Sequence, residues 1–158
     1  FIPARTGPAV PETSAGRPAS IYGAAYEELI GGASRYLDRS KVLLIGLVNG
    51  GPDDAAAPLD LAVQKRTSDR LLREAAVLKK GLAQSPGPED RRLARLIADL
   101  EVTLLQIANL EAESDPAAVD VVKTGVRDRG LIFRINLSRI RMDKAAAGSA
   151  SPRSRSAA

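Results

Sequence analysis

The stretch Arg92–Leu110, RLARLIADLEVTLLQIANL, constrains this chain more than any other part of it. Leu93, Leu96, Ile97, Leu100, Leu104, Ile107 and Ala108 recur at steps of three and four, which lays them along one face of a helix. Arg92, Arg95, Asp99, Glu101 and Gln106 fall mainly on the other side. An apolar stripe of this length has to be covered by other apolar surface. Three further segments offer it, so the stripe predicts a helical bundle.

The first of these segments is 20–49, with Ser20 as a candidate N-cap. Tyr26, Leu29, Ile30, Ala33, Tyr36, Leu37, Leu43, Leu44, Leu47 and Val48 form its stripe. Gly31 and Gly32 interrupt it, at about 1 kcal/mol each relative to Ala, so a bend or a late start is expected there. Asn49-Gly50-Gly51-Pro52 is a strong stop signal. The second segment runs from Leu59 to Leu82, with Leu71, Leu72, Ala75, Leu78 and Leu82 on one face. Pro88 suits the first turn of the helix that contains the opening stripe. Glu89 and Asp90 complement the positive end of that helix.

The last segment restarts at Ser114-Asp115-Pro116, with Asp115 as N-cap and Pro116 in the first turn. Val119, Val122 and Val126 follow at helical spacing. Beyond Gly130 two readings compete. Leu131, Phe133, Ile135 and Leu137 alternate as a strand would, while Val126, Gly130, Phe133, Leu137 and Ile140 continue a helical stripe. A lone strand has no partner in this chain, so helix is the preferred reading.

The expected fold is therefore all-α, an antiparallel up-down four-helix bundle, because short connections force neighbouring helices to alternate in direction. A helical hairpin that dimerises through the same stripes is the structural alternative. Residues 1–19 hold Pro3, Pro8, Pro11 and Pro18 without periodicity, and read as a linker. The domain is expected over 20–142. A disordered basic tail of Ala, Ser, Gly, Pro and Arg is expected over 143–158.

Charge is uneven. The formal net charge is +4, yet acidic and basic residues nearly balance over 21–137. Arg139, Arg141, Lys144, Arg153 and Arg155 face only Asp143 over 138–158. The basic face on the folded part that nucleic-acid binding calls for is not visible, so no nucleic-acid partner is expected. With no Cys and no His, thiolate chemistry and the His-containing di-iron motif of helical bundles are excluded. The longest apolar run, Val42–Val48, is far short of the ~20 residues a spanning helix needs.

No catalytic, cofactor-binding or metal-binding residue is predicted. The carboxylate pairs Glu27-Glu28, Asp53-Asp54, Glu89-Asp90 and Glu111/Glu113 fall at helix starts, in loops or on solvated faces. Catalytic carboxylates need a cleft that shifts their pKa values. Asn49-Gly50-Gly51 lacks the Gly-Lys-Ser/Thr of a phosphate loop and reads as a helix stop. Ser40 beside Lys41 has no base or oxyanion hole to make it a nucleophile. Asn109 reads as a capping residue. Arg127, Arg129, Arg134, Arg139 and Arg141 form the most basic run, which on a helix does not share one face. It reads as a solvated helix end, with attraction to an acidic partner or an anionic lipid surface as the functional alternative, and nucleic-acid binding last, since no aromatic interleaving supports stacking on single strands.

YLDRSKVLLIGLVN (Tyr36–Asn49), LLQIANLEAESDPAAVDVVKTGVRDRG (Leu104–Gly130) and GLIFRINL (Gly130–Leu137) together resemble a bacterial group. They look like the extracytoplasmic C-terminal portions of membrane-anchored, zinc-finger anti-sigma-factor-like proteins. The resemblance covers 36–49 and 67–137 and includes no catalytic signature. It implies a helical module outside the inner membrane, periplasmic and non-enzymatic, that senses a signal or binds an unidentified protein partner, or a second copy of itself. It also implies an anchoring helix and a His/Cys domain before Phe1, with the zinc ligands and sigma-factor contacts lying there. The alternative from the residues alone is a soluble helical adaptor or oligomerisation module.

Overall fold

The computed structural model describes residues 18–50, 60–85, 87–111 and 116–149. Five α-helices make up these residues: α1 (Pro18–Asn49), α2 (Leu61–Leu82), α3 (Pro88–Ala108), α4 (Pro116–Asp128) and α5 (Leu131–Ser149). Among the described residues there is no strand, so the all-α expectation holds and Leu131–Leu137 is helical. The helix count differs from the expected four, because the last segment is two helices.

Several of the helix ends have a local reason. α2 starts one residue after Asp60, whose Oδ1 accepts from the Val63 N–H at 3.0 Å and satisfies an otherwise orphaned donor. α3 starts with Pro88 after Gly87, and Glu89 and Asp90 fill its first turn as expected. α1 starts at Pro18, so Ser20 lies inside the helix and is not its N-cap. Proline lacks the N–H that a first turn leaves unbonded anyway, which is why Pro18 begins α1 and does not block it. Asp115, the expected N-cap of α4, lies outside the described residues. α1 passes Gly31 and Gly32 without a break, held by Ala33, Tyr36 and Leu37, which are fully buried. α5 continues to Ser149, past the boundary at 142. Ala145, Ala146 and Ala147 are strong helix formers and carry it on.

The contacts fix the packing. Arg39 Nη2 meets Glu74 Oε2 at 2.5 Å, Gly32 sits against Leu78, and Gly46 sits against Gln64, so α1 and α2 run antiparallel. Lys65 Nζ donates to the Leu110 carbonyl at 2.7 Å, and Lys79 pairs with Glu101 at the other end, which makes α2 and α3 antiparallel as well. A Cβ on Gly81 would lie 2.6 Å from Leu29 Cδ1, so this glycine permits the close approach of α2 to α1. α5 is pinned on both sides by Arg139–Asp38 of α1 at 3.0 Å and Arg134–Asp99 of α3 at 2.6 Å. α4 reaches the far end of α1, where Lys123 Nζ donates to the Gly50 carbonyl at 2.6 Å.

The opening stripe is the centre of the core. Leu93, Leu96, Ile97, Leu100, Leu104 and Ile107 are all buried, joined by Tyr36, Leu44 and Leu47 of α1 and by Leu71, Ala75 and Leu78 of α2. Ala108 is half-buried.

The break between α4 and α5 corrects the expected continuous stripe. Gly130 has φ 56°, the left-handed conformation that ends helices, and its N–H bonds to the Arg127 carbonyl at 2.9 Å. The turn resets the helical phase. Leu131 and Ile135 become fully buried, while Phe133 and Ile140, expected in the core, are 69% and 51% exposed.

Candidate functional site

One cleft of about 680 Å³ opens between the first half of α1, the start of α3 and the second half of α5. Its volume lies in the range of small-molecule and peptide-anchor sites. Tyr26, Ile30, Leu93, Met142, Ala145 and Ala146 give it an apolar lining. Glu27, Glu89, Arg92, Arg141 and Asp143 stand around it.

Asp90 is the unusual member of the lining. It is 6% exposed, although sequence placed it on a solvated helix start. Its position in the first turn of α3 turns the carboxylate back over Gly87. There Oδ2 accepts from Ser85 Oγ at 2.5 Å and Oδ1 accepts from Tyr26 Oη at 2.8 Å. The carboxylate thus joins α1, the α2–α3 turn and α3 at one point. The Tyr26 hydroxyl is pushed up to about 12, first by burial, then by donating to Asp90, then by the Asp90 charge. Both hydrogen bonds to Asp90 come from protein hydroxyls, so its role in the free domain is to position elements.

A second polar group lies deeper. Tyr36, Ser40 and Ser68 are fully buried, and their hydroxyls have no well-formed hydrogen bond to another protein group. Burial raises the Tyr36 hydroxyl well above the ordinary tyrosine range. The neighbouring Ser40 hydroxyl works the other way, and the charges of Glu101 and Glu74 add to the rise. Ser40 is therefore a core residue inaccessible to substrate, and Lys41 beside it is half-buried.

The other residues singled out by sequence scatter. Glu27 and Glu28 are exposed, and Glu27 alone of the two lines the cleft. Glu89 pairs with Arg92 on the surface of α3. Asp53, Asp54 and Glu113 lie outside the described residues, and Glu111 is exposed. Gly50 closes α1 through its N–H to the Gly46 carbonyl at 2.8 Å, while Gly51 lies outside the described residues. Asn109 ends α3 as its C-cap through its backbone N–H. Of the basic run, Arg134 and Arg139 form ion pairs, Arg129 reaches Thr103 Oγ1 at 3.5 Å, Arg127 is exposed and Arg141 stands at the cleft. Among the described residues no group of three or more His, Cys, Asp or Glu is placed to hold a metal ion, and no helix is long and apolar enough to cross a membrane.

Sequence reasoning missed Asp90 and the cleft. The signal for Asp90 was faint: a Ser five residues before an acid in a first turn, with a Tyr far away in the chain. The chain matches no protein-family model, no curated protein and no solved structure.

Proposed function

We propose that this chain is a non-enzymatic sensory or interaction domain, lying outside the inner membrane as part of a membrane-anchored anti-sigma-factor-like regulator. α4 and α5 act together as a broken fourth rod, completing an antiparallel bundle with α1, α2 and α3. The cleft between α1, α3 and α5 is the surface where a partner or signal is received.

The observation that carries this reading is the construction of the cleft. Its lining is mainly apolar, and its buried carboxylate is already satisfied by Tyr26 and Ser85. Such a site supports binding through apolar burial. The second half of α5 contributes Met142, Ala145 and Ala146 to the cleft, and α5 is clamped further back by Arg134 and Arg139. Occupation of the cleft would bear directly on how α5 packs, and a ligand that favours one packing shifts the population toward it. The pattern in Tyr36–Asn49 and Leu104–Leu137 supplies the link to anti-sigma-type proteins.

The test is the gene upstream of the codon for Phe1. An apolar segment of about 20 residues is expected there, preceded by a domain bearing Cys and His. A reading frame that lacks such a segment overturns the proposal. A C-terminal alkaline phosphatase fusion to the full gene product is expected to be active, as the enzyme requires an oxidising compartment.

A further inference from the structure

The near balance of charge over 21–137 hides a local excess on α2. Lys65, Arg66, Arg70, Arg73, Lys79 and Lys80 stand there against Asp69 and Glu74. Packing takes up some of these groups: Glu74 meets Arg39 of α1, Lys79 meets Glu101 of α3, and Lys65 donates to the Leu110 carbonyl. Arg66, Arg70 and Arg73 are exposed, and among the described residues none of the three forms an ion pair. Arg66 is held only locally, by Nε donating to the Ala62 carbonyl at 3.3 Å. The three stand at steps of four and three, on one face of the helix. With Val63 and Thr67 they line one shallow depression of about 320 Å³, and Asp69 does not line it.

This spacing works against the free domain, because like charges at i,i+3 and i,i+4 oppose helix formation. The row also has exposed apolar side chains at both ends. Val63 is 44% exposed, and Val77, one turn beyond Arg73, is 71% exposed. Val42 is exposed too, on α1 between Arg39 and Gly46, the residues that meet Glu74 and Gln64 of α2. The face is therefore a basic centre edged by valines, about 21 Å long from Val63 to Val77 at the helical rise. An acidic segment of a protein meets both features. Its carboxylates accept paired hydrogen bonds from the planar guanidinium groups, and its apolar residues cover the valines. Nucleic acid would meet the arginines through phosphate and leave the valines in water. A second copy would set one arginine row against another.

We propose that the outer face of α2, from Val63 to Val77, docks an acidic segment of a partner protein. Arg66, Arg70 and Arg73 hold its carboxylates, and Val63 and Val77 cover apolar side chains at its two ends. No residue of α2 lines the cleft between α1, α3 and α5, so this is a second surface. The inference does not rest on the reading of the cleft or on what anchors the chain.

The test is fluorescence anisotropy of a labelled helical peptide titrated with the 158-residue chain. The peptide is about 15 residues long, with Glu at steps of four and three in its centre and Leu at both ends. Binding that falls with added salt is expected. R66Q/R70Q/R73Q is expected to weaken it about tenfold or more. R95Q/R127Q/K144Q removes the same charge from exposed sites elsewhere and is expected to change binding by less than about twofold. V63S/V77S is expected to weaken it about threefold. All of these side chains are exposed, so circular dichroism should stay that of the parent. The melting temperature of R66Q/R70Q/R73Q should equal or exceed the parent's, because the like charges along α2 are gone. No binding, equal loss in both charge variants, unchanged binding by V63S/V77S, or equal binding of the same peptide with Gln for Glu overturns the proposal. So does a single-stranded oligonucleotide or a phosphatidylglycerol vesicle that binds more tightly than the peptide and is lost in R66Q/R70Q/R73Q, because the row then takes phosphate. None of these readouts bears on the gene upstream, so this inference and the proposed function fail separately.

Discussion

Replacing Asp90 by Ala tests whether the cleft is organised by a buried carboxylate. In the parent, Asp90 is 6% exposed and accepts hydrogen bonds from Ser85 at 2.5 Å and Tyr26 at 2.8 Å. A hydrogen bond to a charged group contributes about 1.5–3 kcal/mol. The lower end applies here, because Tyr26 is 43% exposed and its hydroxyl regains water when the carboxylate is removed. Two such bonds give about 3 kcal/mol, and the lost charge at the positive end of α3 adds about 0.3–1 kcal/mol. Asp90→Ala is therefore expected to cost ~3–4 kcal/mol in urea unfolding followed by circular dichroism. Tyr26→Phe removes one bond and is expected to cost ~1.5 kcal/mol. The double variant should then show a coupling of about 1.5 kcal/mol, since neither change can break the same bond twice. Two results refute the reasoning. One is an Asp90→Ala variant within about 0.5 kcal/mol of the parent, the ordinary effect of a surface substitution. The other is strict additivity of the two changes.

Leu100→Ala or Leu104→Ala should each cost ~2–5 kcal/mol, because both side chains are fully buried, while exposed Arg95→Ala should cost little. Equal effects in chemical denaturation would mean that the stripe is not a core. Gly130→Ala should cost about 1–2 kcal/mol in thermal unfolding, since a Cβ strains the left-handed backbone at φ 56° although nothing lies within 4 Å to clash with it. A neutral result would show that the turn relaxes. Stability should also fall as pH rises above about 10, the unperturbed tyrosine value. Tyr26 holds its proton to about 12 and Tyr36 is raised further, so above that point the unfolded chain releases protons that the native state keeps. Below it both states are protonated and no dependence arises from these groups. Tyr36→Phe should flatten the decline, and an identical decline in that variant would remove burial of Tyr36 as its cause.

Much of the fold was legible because helix formation leaves a local signature. The stripe from Leu93 to Ile107 repeats at the helical period, and all six of its large members from Leu93, Leu96 and Ile97 to Leu100, Leu104 and Ile107 are buried. The Pro88 start of α3 and the stop after Asn49 were visible for the same reason, since proline and glycine act on the backbone next to them. The candidate site was not legible. Asp90 looks like any acid in a first turn until Tyr26, 64 residues earlier, is brought against it. The cleft itself consists of space between three helices and has no sequence period at all.

The sequence by itself determined the helices of the first three segments and the apolar stripes that need partners, and placed the excess positive charge toward the C-terminal end. Tertiary structure decided which way the last segment faces. Periodicity around Gly130 allowed either set of side chains to point inward, because a stripe running through 126, 130, 133, 137 and 140 is as regular as one built on 131 and 135. A single left-handed residue changes the helical phase. Docking against α1 and α3, fixed by Asp38–Arg139 and Asp99–Arg134, then selected Leu131 and Ile135 for the core and turned Phe133 and Ile140 outward. That selection is made by contacts distant in sequence, which no local pattern encodes.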